Sequence, residues 1–262
     1  MTSKSIIWGM IHLPPLPGTP FNALPLNKII NWAENDAETL VNAGVSNIVL
    51  ENLGDTPYFK NNNPYHIISI MTLIGRKIIE NYPDIILGIN VLRNDGLASL
   101  AIGKALESNV KWIRVNVLSG VQVTDQGIIE GNAAELLRYR KEINAESIEI
   151  WADLNVKHAS PLVQRDPHLV AEETLGRGGA EKLILSGMAT GKPVSADYLK
   201  EISDVFGKEK MVIGSGINQT NILEFSKFAG NMIVGSSLKK NNDTNQPIDL
   251  ALTKELLKVL KK

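Results

Sequence analysis

The chain of 262 residues contains no cysteine. Disulfides, thiolate metal sites, iron–sulfur clusters and a cysteine nucleophile are excluded with it. A surplus of charge is missing too: 27 basic side chains stand against 28 acidic ones, a formal net charge of −1. A balance so close to neutral leaves no electrostatic footprint for nucleic acid or an anionic membrane surface, so neither is expected as a partner. Long apolar runs are also absent, the longest being strand-length and far short of a membrane span. The segment Ser5–Leu13 is too short for a signal-peptide core, carries His12 and runs into Pro14-Pro15 without a small-residue cleavage site. It reads as a first strand, and the protein as cytoplasmic.

What is present is a high apolar content, 44% of residues, enough to bury a substantial core. Short β-branched runs alternate with longer stretches of helical period. Eight strands are predicted: Ile6–His12, Asn47–Asn52, Ile85–Leu92, Lys111–Val117, Ser147–Asn155, Lys182–Ser186, Met211–Ser215 and Met232–Gly235. Helices are predicted between them at Leu26–Ala43, Tyr65–Asn81, Leu97–Glu107, Gly131–Ile143, Pro167–Arg177, Ala196–Phe206 and Asn221–Phe228, with a last one at Ile248–Leu260. The strand-to-strand step averages about 32 residues, the size of one βα repeat of a TIM (β/α)8 barrel. A doubly wound sheet needs a Gly-rich phosphate turn after an early strand, and Trp8-Gly9-Met10-Ile11-His12-Leu13-Pro14 is not one. Nothing in composition divides the chain, so residues 1–262 are expected to form a single barrel domain.

In such a barrel the chemistry sits at the C-terminal ends of the strands. Those ends are rich in polar residues here: His12; Glu51, Asn52 and Asp55; Asn90, Arg93, Asn94 and Asp95; Arg114 and Asn116; Asp153, Asn155, Lys157 and His158; Ser186, Thr190 and Lys192. Alternation along a strand puts Arg114 and Asn116 on one face, and Asp153, Asn155 and, where the strand runs that far, Lys157 on one face. Such groups form either a satisfied internal network or a ligand site, because leaving them unpaired costs about 1–3 kcal/mol each and more for charges. Their concentration at one end favours the site. After the last two strands, Gly214-Ser215-Gly216 and Gly235-Ser236-Ser237 are small-residue turns at the positions where barrels bind phosphate. Glycine lets backbone N–H groups approach an anion there. A phosphorylated small molecule is therefore the expected ligand.

The proline-rich piece Leu13–Pro20 follows the first strand and reads as a stiff loop over the barrel mouth. Of four histidines, His66 and His168 fall in predicted helix starts, and no HxH or HExxH spacing exists. His12 and His158 with Glu51 or Asp153 are the only candidates for a divalent metal, and no cofactor is expected. Lys157 can be read as a Schiff-base lysine, an ion-pair partner of Asp153 or a phosphate anchor. Trp32 and Trp112 suit either core or subunit packing, and a homo-oligomer is expected.

Several long motifs occur in order along the chain. Gly9-Met10-Ile11-His12-Leu13-Pro14-Pro15-Leu16-Pro17-Gly18, Gly88–Asp95, Ile113–Val117, Arg138-Tyr139-Arg140, Ala152–His158, Gly214-Ser215-Gly216 and Ile233–Lys239 closely resemble the BtpA/SgcQ family over almost the whole chain. The resemblance implies a TIM barrel related to the ribulose-phosphate-binding group. The family is named for a factor needed for photosystem I accumulation in cyanobacteria, while other relatives sit beside sugar-transport genes and have been described as nucleosidases. Leu154-Asn155 and Ser236-Ser237 depart from the valines and threonine common in the family. On this reading the leading expectation is N-ribosidic bond hydrolysis on a phosphorylated sugar or nucleoside. Asp153 would act as base or cation stabiliser, and His12 or His158 as acid. Glu51, Asn90 and Asn116 would bind sugar hydroxyls, with Asn52, Asn94, Asp95, Ser186 and Thr190 beside them; Arg93 and Arg114 would hold anions. Sugar-phosphate isomerisation or epimerisation, with Asp153 or Glu51 as base, and a non-catalytic assembly factor are the alternatives.

Overall fold

The computed structural model describes residues 5–154, 156–187 and 193–260. The alternating pattern closes as the sequence predicts, into a parallel (β/α)8 barrel. Its strands are β1 (Ile6–His12), β2 (Asn47–Glu51), β3 (Ile86–Asn90), β4 (Val110–Val115), β7 (Glu149–Asp153), β9 (Lys182–Leu185), β10 (Met211–Ile213) and β11 (Asn231–Val234). Around the ring they run β1-β11-β10-β9-β7-β4-β3-β2. The helices are α1 (Leu26–Ala43), α2 (Tyr65–Asn81), α3 (Gly96–Leu106), α4 (Ala133–Glu142), α5 (Pro167–Leu175), α6 (Ala196–Phe206), α7 (Ile222–Phe225) and α8 (Leu250–Leu260). Among the described residues, no helix is long and apolar enough to cross a membrane.

Local chemistry sets the element ends. Asp95 caps α3 by accepting from Ala98 N, and Asp166 caps α5 with Pro167 in the first turn. α1 stops at Gly44, whose φ of 93° suits glycine and whose N–H donates to the last carbonyls. α7 is shorter than the predicted Asn221–Phe228. Asn221 Nδ2 is tied to Gly216 O at 2.8 Å before the helix, and the chain must turn at Gly230 to enter β11.

Three short strands escape the sequence reading: β5 (Val121–Thr124), β6 (Gly127–Glu130) and β8 (Ala159–Pro161) form an antiparallel sheet in the order β6-β5-β8. It is built from the loops that follow β4 and β7, so it stands at the C-terminal side of the barrel.

Side chains alternate in and out along every barrel strand. The outward set packs on the helices, and the inward set forms a separate interior cluster of Trp8, Met10, Val49, Trp112, Trp151, Ile184, Val212 and Ile233. Trp112 and Trp151 stack at 3.9 Å and 7°, and Trp8 meets both edge-on at 5.1 and 5.4 Å. Each such aromatic pair adds about 0.5–1.5 kcal/mol beyond its burial. Gly88 makes the room: a Cβ there would lie 2.3 Å from the Trp112 ring. Trp112 is therefore a barrel-interior residue, fully buried and out of reach of any subunit interface, whereas Trp32 is half-buried on α1.

Candidate active site

Two residues further along the same strands the inward positions turn polar. Above Trp112 stands Arg114, and above Trp151 stands Asp153; Arg114 Nη2 and Nε reach the two Asp153 carboxylate oxygens at 2.9–3.3 Å. Asn116 Nδ2 donates to the same carboxylate. Both oxygens of Asp153 are thus taken, and its side chain is 0% exposed. Burial opposes the Arg114 charge, but Asp153 and then Glu51 outweigh it and hold the guanidinium protonated. The sequence places Asp153 at the centre of the chemistry; the structure places it beneath the site, clamped by two donors.

Glu51 occupies the open position instead. It accepts from Asn90 Nδ2 at 2.5 Å, and its other oxygen lies 3.9 Å from His12 Nε2. Burial, then the charges of Lys239 and Lys157, push the His12 imidazole well below its ordinary range, so it is neutral at pH 7. Lys157 Nζ donates to Gly214 O at 3.2 Å. Burial first, and then Arg114 and Arg93, bring its amine down to about 8 against the opposing pull of Glu51 and Asp153. Arg93 donates to Lys157 O through Nη2, while its buried Nε has no partner among the described residues.

A cavity of about 510 Å3 opens over these groups, lined at its base by Glu51, Arg93, Arg114, Asn116, Lys157 and His158. Pro15, Phe21, Tyr58, Asp125 and Thr244 also line it. The proline-rich loop therefore contributes a wall. From Glu51, Arg114 and Lys157 a smaller recess of about 50 Å3 runs between Gly214-Ser215-Gly216 and Gly235-Ser236, with His12 at its side. Glycine is required at two of these positions: a Cβ on Gly214 would sit 2.5 Å from Ser186 Oγ, and one on Gly235 would sit 2.9 Å from His12 Cε1.

The remaining predicted residues divide. Asn52 accepts from Leu92 N at 2.8 Å and donates to Asp55, whose other oxygen accepts from Leu16 N. Asn94 bridges to Val117 with both amide atoms, and Asp95 serves Ala98 N and Asn63. These three face loops rather than the cavity, their polar atoms being committed to tying β3, β4 and the flanking turns together. Buried Ser186 lies against Gly214 and its Oγ has no partner among the described residues. His158 lines the cavity with a φ of 52°, a left-handed conformation uncommon outside glycine and asparagine. Asn155, Thr190 and Lys192 lie outside the described residues. His168 pairs with Glu201 on the surface at 2.7 Å, and His66 packs near Gly18. Among the described residues no three His, Asp or Glu side chains come together as a group that could hold a metal ion.

Tyr58, Asp125 and Thr244 were not anticipated as pocket residues. Asp125 arrives on the β5–β6 turn, which only the extra sheet brings to the mouth. Tyr58 donates to Leu53 O at 2.6 Å; burial, then the Glu51 carboxylate, push its hydroxyl pKa up.

The motif-bearing strand ends converge on this pocket, and a family description covers them all: residues 2–262 match the model of the BtpA family. The chain belongs to the BtpA family. It is 42% identical over 241 residues to the photosystem I biogenesis protein BtpA of Synechocystis sp. (strain ATCC 27184 / PCC 6803 / Kazusa), covering 92% of this chain and 83% of that one. An uncharacterised protein of Thermococcus kodakarensis is 39% identical, with 97% and 94% covered. Solved structures show the same fold at low identity. Phosphoribosyl anthranilate isomerase from Thermus thermophilus superposes with a TM-score of 0.56 at 10% identity over 98% of both chains. The tryptophan synthase alpha chain from Legionella pneumophila gives 0.57 at 12%, over 98% of this BtpA-family chain and 92% of the other.

Proposed function

We propose that this BtpA-family protein is an enzyme that moves a proton beside the carbonyl of a phosphorylated sugar, an isomerase or epimerase. The observation that carries the reading is the charge at the base of the cavity. Arg114 is matched by Asp153, which leaves Arg93 and Lys157 against Glu51 at the base, while Asp125 stands out at the mouth on the β5–β6 turn. A floor with that surplus stabilises negative charge as it develops on an enediolate oxygen, and repels the oxocarbenium-like cation that N-ribosidic hydrolysis requires. The glycine recess beside it would take the phosphate.

Glu51 acts as base. Its free oxygen takes the proton from the carbon next to the carbonyl, the electron pair moves onto the carbonyl oxygen, and the Lys157 ammonium faces that oxyanion. Glu51 then returns the proton to the neighbouring carbon, the former carbonyl carbon, while the hydroxyl on the carbon it deprotonated gives its proton to the oxyanion and becomes the new carbonyl. For epimerisation, solvent supplies a proton to the other face of the same carbon. Asn90 fixes the Glu51 carboxylate, and Asp153 fixes Arg114.

The test is hydrogen exchange. The protein in D2O with ribose 5-phosphate and ribulose 5-phosphate is expected to wash out the carbon-bound proton beside the carbonyl, followed by NMR. Glu51→Gln is expected to slow it by about 10²–10⁴-fold. No exchange from a panel of phosphorylated aldoses and ketoses refutes the reading, and release of free base from nucleoside phosphates establishes the hydrolytic one instead.

A further inference from the structure

Beside the large cavity lies a second one of about 180 Å3, and the two share a wall made by Pro15, Leu53, Gly54, Thr244 and Asn245. The rest of its lining is Leu13, Pro14, Leu24 and the Trp32 ring, with His12 as the one polar side chain. An apolar cavity of about 150 Å3 holds one benzene-sized ring. This cavity is therefore large enough for a single ring and too small for much more.

Both of its sides are fixed. On one, Leu13 N donates to Glu51 O, Gly54 N to Leu13 O and Leu16 N to Asp55 Oδ1, at 2.8–3.0 Å. Gly54 lies so close that a Cβ there would be 2.4 Å from Pro15 N. On the other, Lys239 Nζ donates to Thr244 O at 3.1 Å and stands 3.9 Å from Asp36 Oδ2, while Asp36 Oδ1 accepts from Ile248 N at 2.8 Å. Both charged side chains are essentially inaccessible. Taking an ion pair out of water carries a desolvation cost, and what this pair achieves is to hold the 239–248 segment, with Thr244, in place as a wall.

His12 joins the parts. It lines the glycine recess and the side cavity alike, is 7% exposed, and its Nδ1 has no hydrogen-bond partner among the described residues. We propose that the side cavity is a second substrate subsite, which takes a flat uncharged ring borne by the phosphorylated sugar, with His12 Nδ1 bonding a heteroatom on the ring. This rests on the reading of the main cavity as a sugar-phosphate site and narrows its substrate class to ring-substituted sugar phosphates.

The test is calorimetric titration of the full chain with ribose 5-phosphate and with uridine 5′-monophosphate. The ring-bearing ester is expected to bind tighter by about tenfold to a hundredfold, the gain from burying one ring. Leu24→Trp, which fills the cavity from its half-open edge, is expected to bring the ratio of the two affinities to one, and Leu24→Phe to lower it. Equal affinities in the native protein, or a ratio that neither substitution changes, overturn the subsite while leaving the phosphate reading standing. Binding of neither phosphate ester overturns both.

Discussion

Removing the Asp153 carboxylate tests the energetics of the site floor. Asp153→Ala strips Arg114 of its bidentate partner and leaves a guanidinium, 4% exposed, without its counter-charge. Breaking one side of a buried pair costs about 3–5 kcal/mol, because the surviving charge keeps its desolvation penalty. For a chain of this size that corresponds to a fall in Tm of about 10 °C. Asn116 loses its acceptor as well, which places the expected loss in the upper half of the range. Arg114→Met together with Asp153→Ala removes the stranded charge, and most of the loss should return. The surface pair Lys200–Asp204 is the control: Lys200→Ala should cost about 0.3–0.5 kcal/mol. Urea unfolding read by tryptophan emission suits the measurement, since Trp151 lies two residues before Asp153 and stacks on Trp112. A loss below about 1 kcal/mol for the single substitution, or a double variant no more stable than it, refutes the account of a dry, mutually dependent pair.

The Lys157 amine, at about 8, should impose a falling limb on kcat/KM above that pH as the ammonium is lost, and Lys157→Arg should remove the limb by keeping the charge. A descending limb that persists in Lys157→Arg assigns it elsewhere. In stability the sign is opposite: the folded amine sits below its ordinary 10.5, so the folded state binds fewer protons between about 8 and 10.5, and stability from this group rises with pH across that window. Gly88→Ala drives a methyl to within 2.3 Å of the Trp112 ring and should cost about 1–3 kcal/mol by overpacking, whereas an unchanged melting temperature contradicts the packing described.

The barrel was legible because each βα unit carries its own periodicity, and the strand ends came within about two residues, the frayed margin expected of any boundary. The inward face could be read as well, since Arg114 and Asn116 alternate on one strand. What sequence spacing does not contain is the stagger between strands. Arg114 pairs across the sheet with Trp151, which puts Asp153 beyond it and into its guanidinium, while Glu51 pairs with Asn90 and His12 and stays open. Two carboxylates equivalent at strand ends thus differ in position: both are buried, but only Glu51 lines the cavity. The antiparallel sheet left a trace in the alternation of Val121–Thr124 and Gly127–Glu130 around Asp125-Gln126. Four-residue strands, and a third of three, carry too little pattern to separate from loop. Tyr58, Asp125 and Thr244 reach the pocket by loop geometry alone, and no local signal marks them.

The tryptophan layer has a kinetic consequence. Trp8, Trp112 and Trp151 fill the barrel interior one layer below the charged floor, so among the described residues the strand axis is closed beneath the cavity. On the proposed activity, substrate and product both pass the strand-end mouth beside Phe21 and Tyr58, and they compete for it.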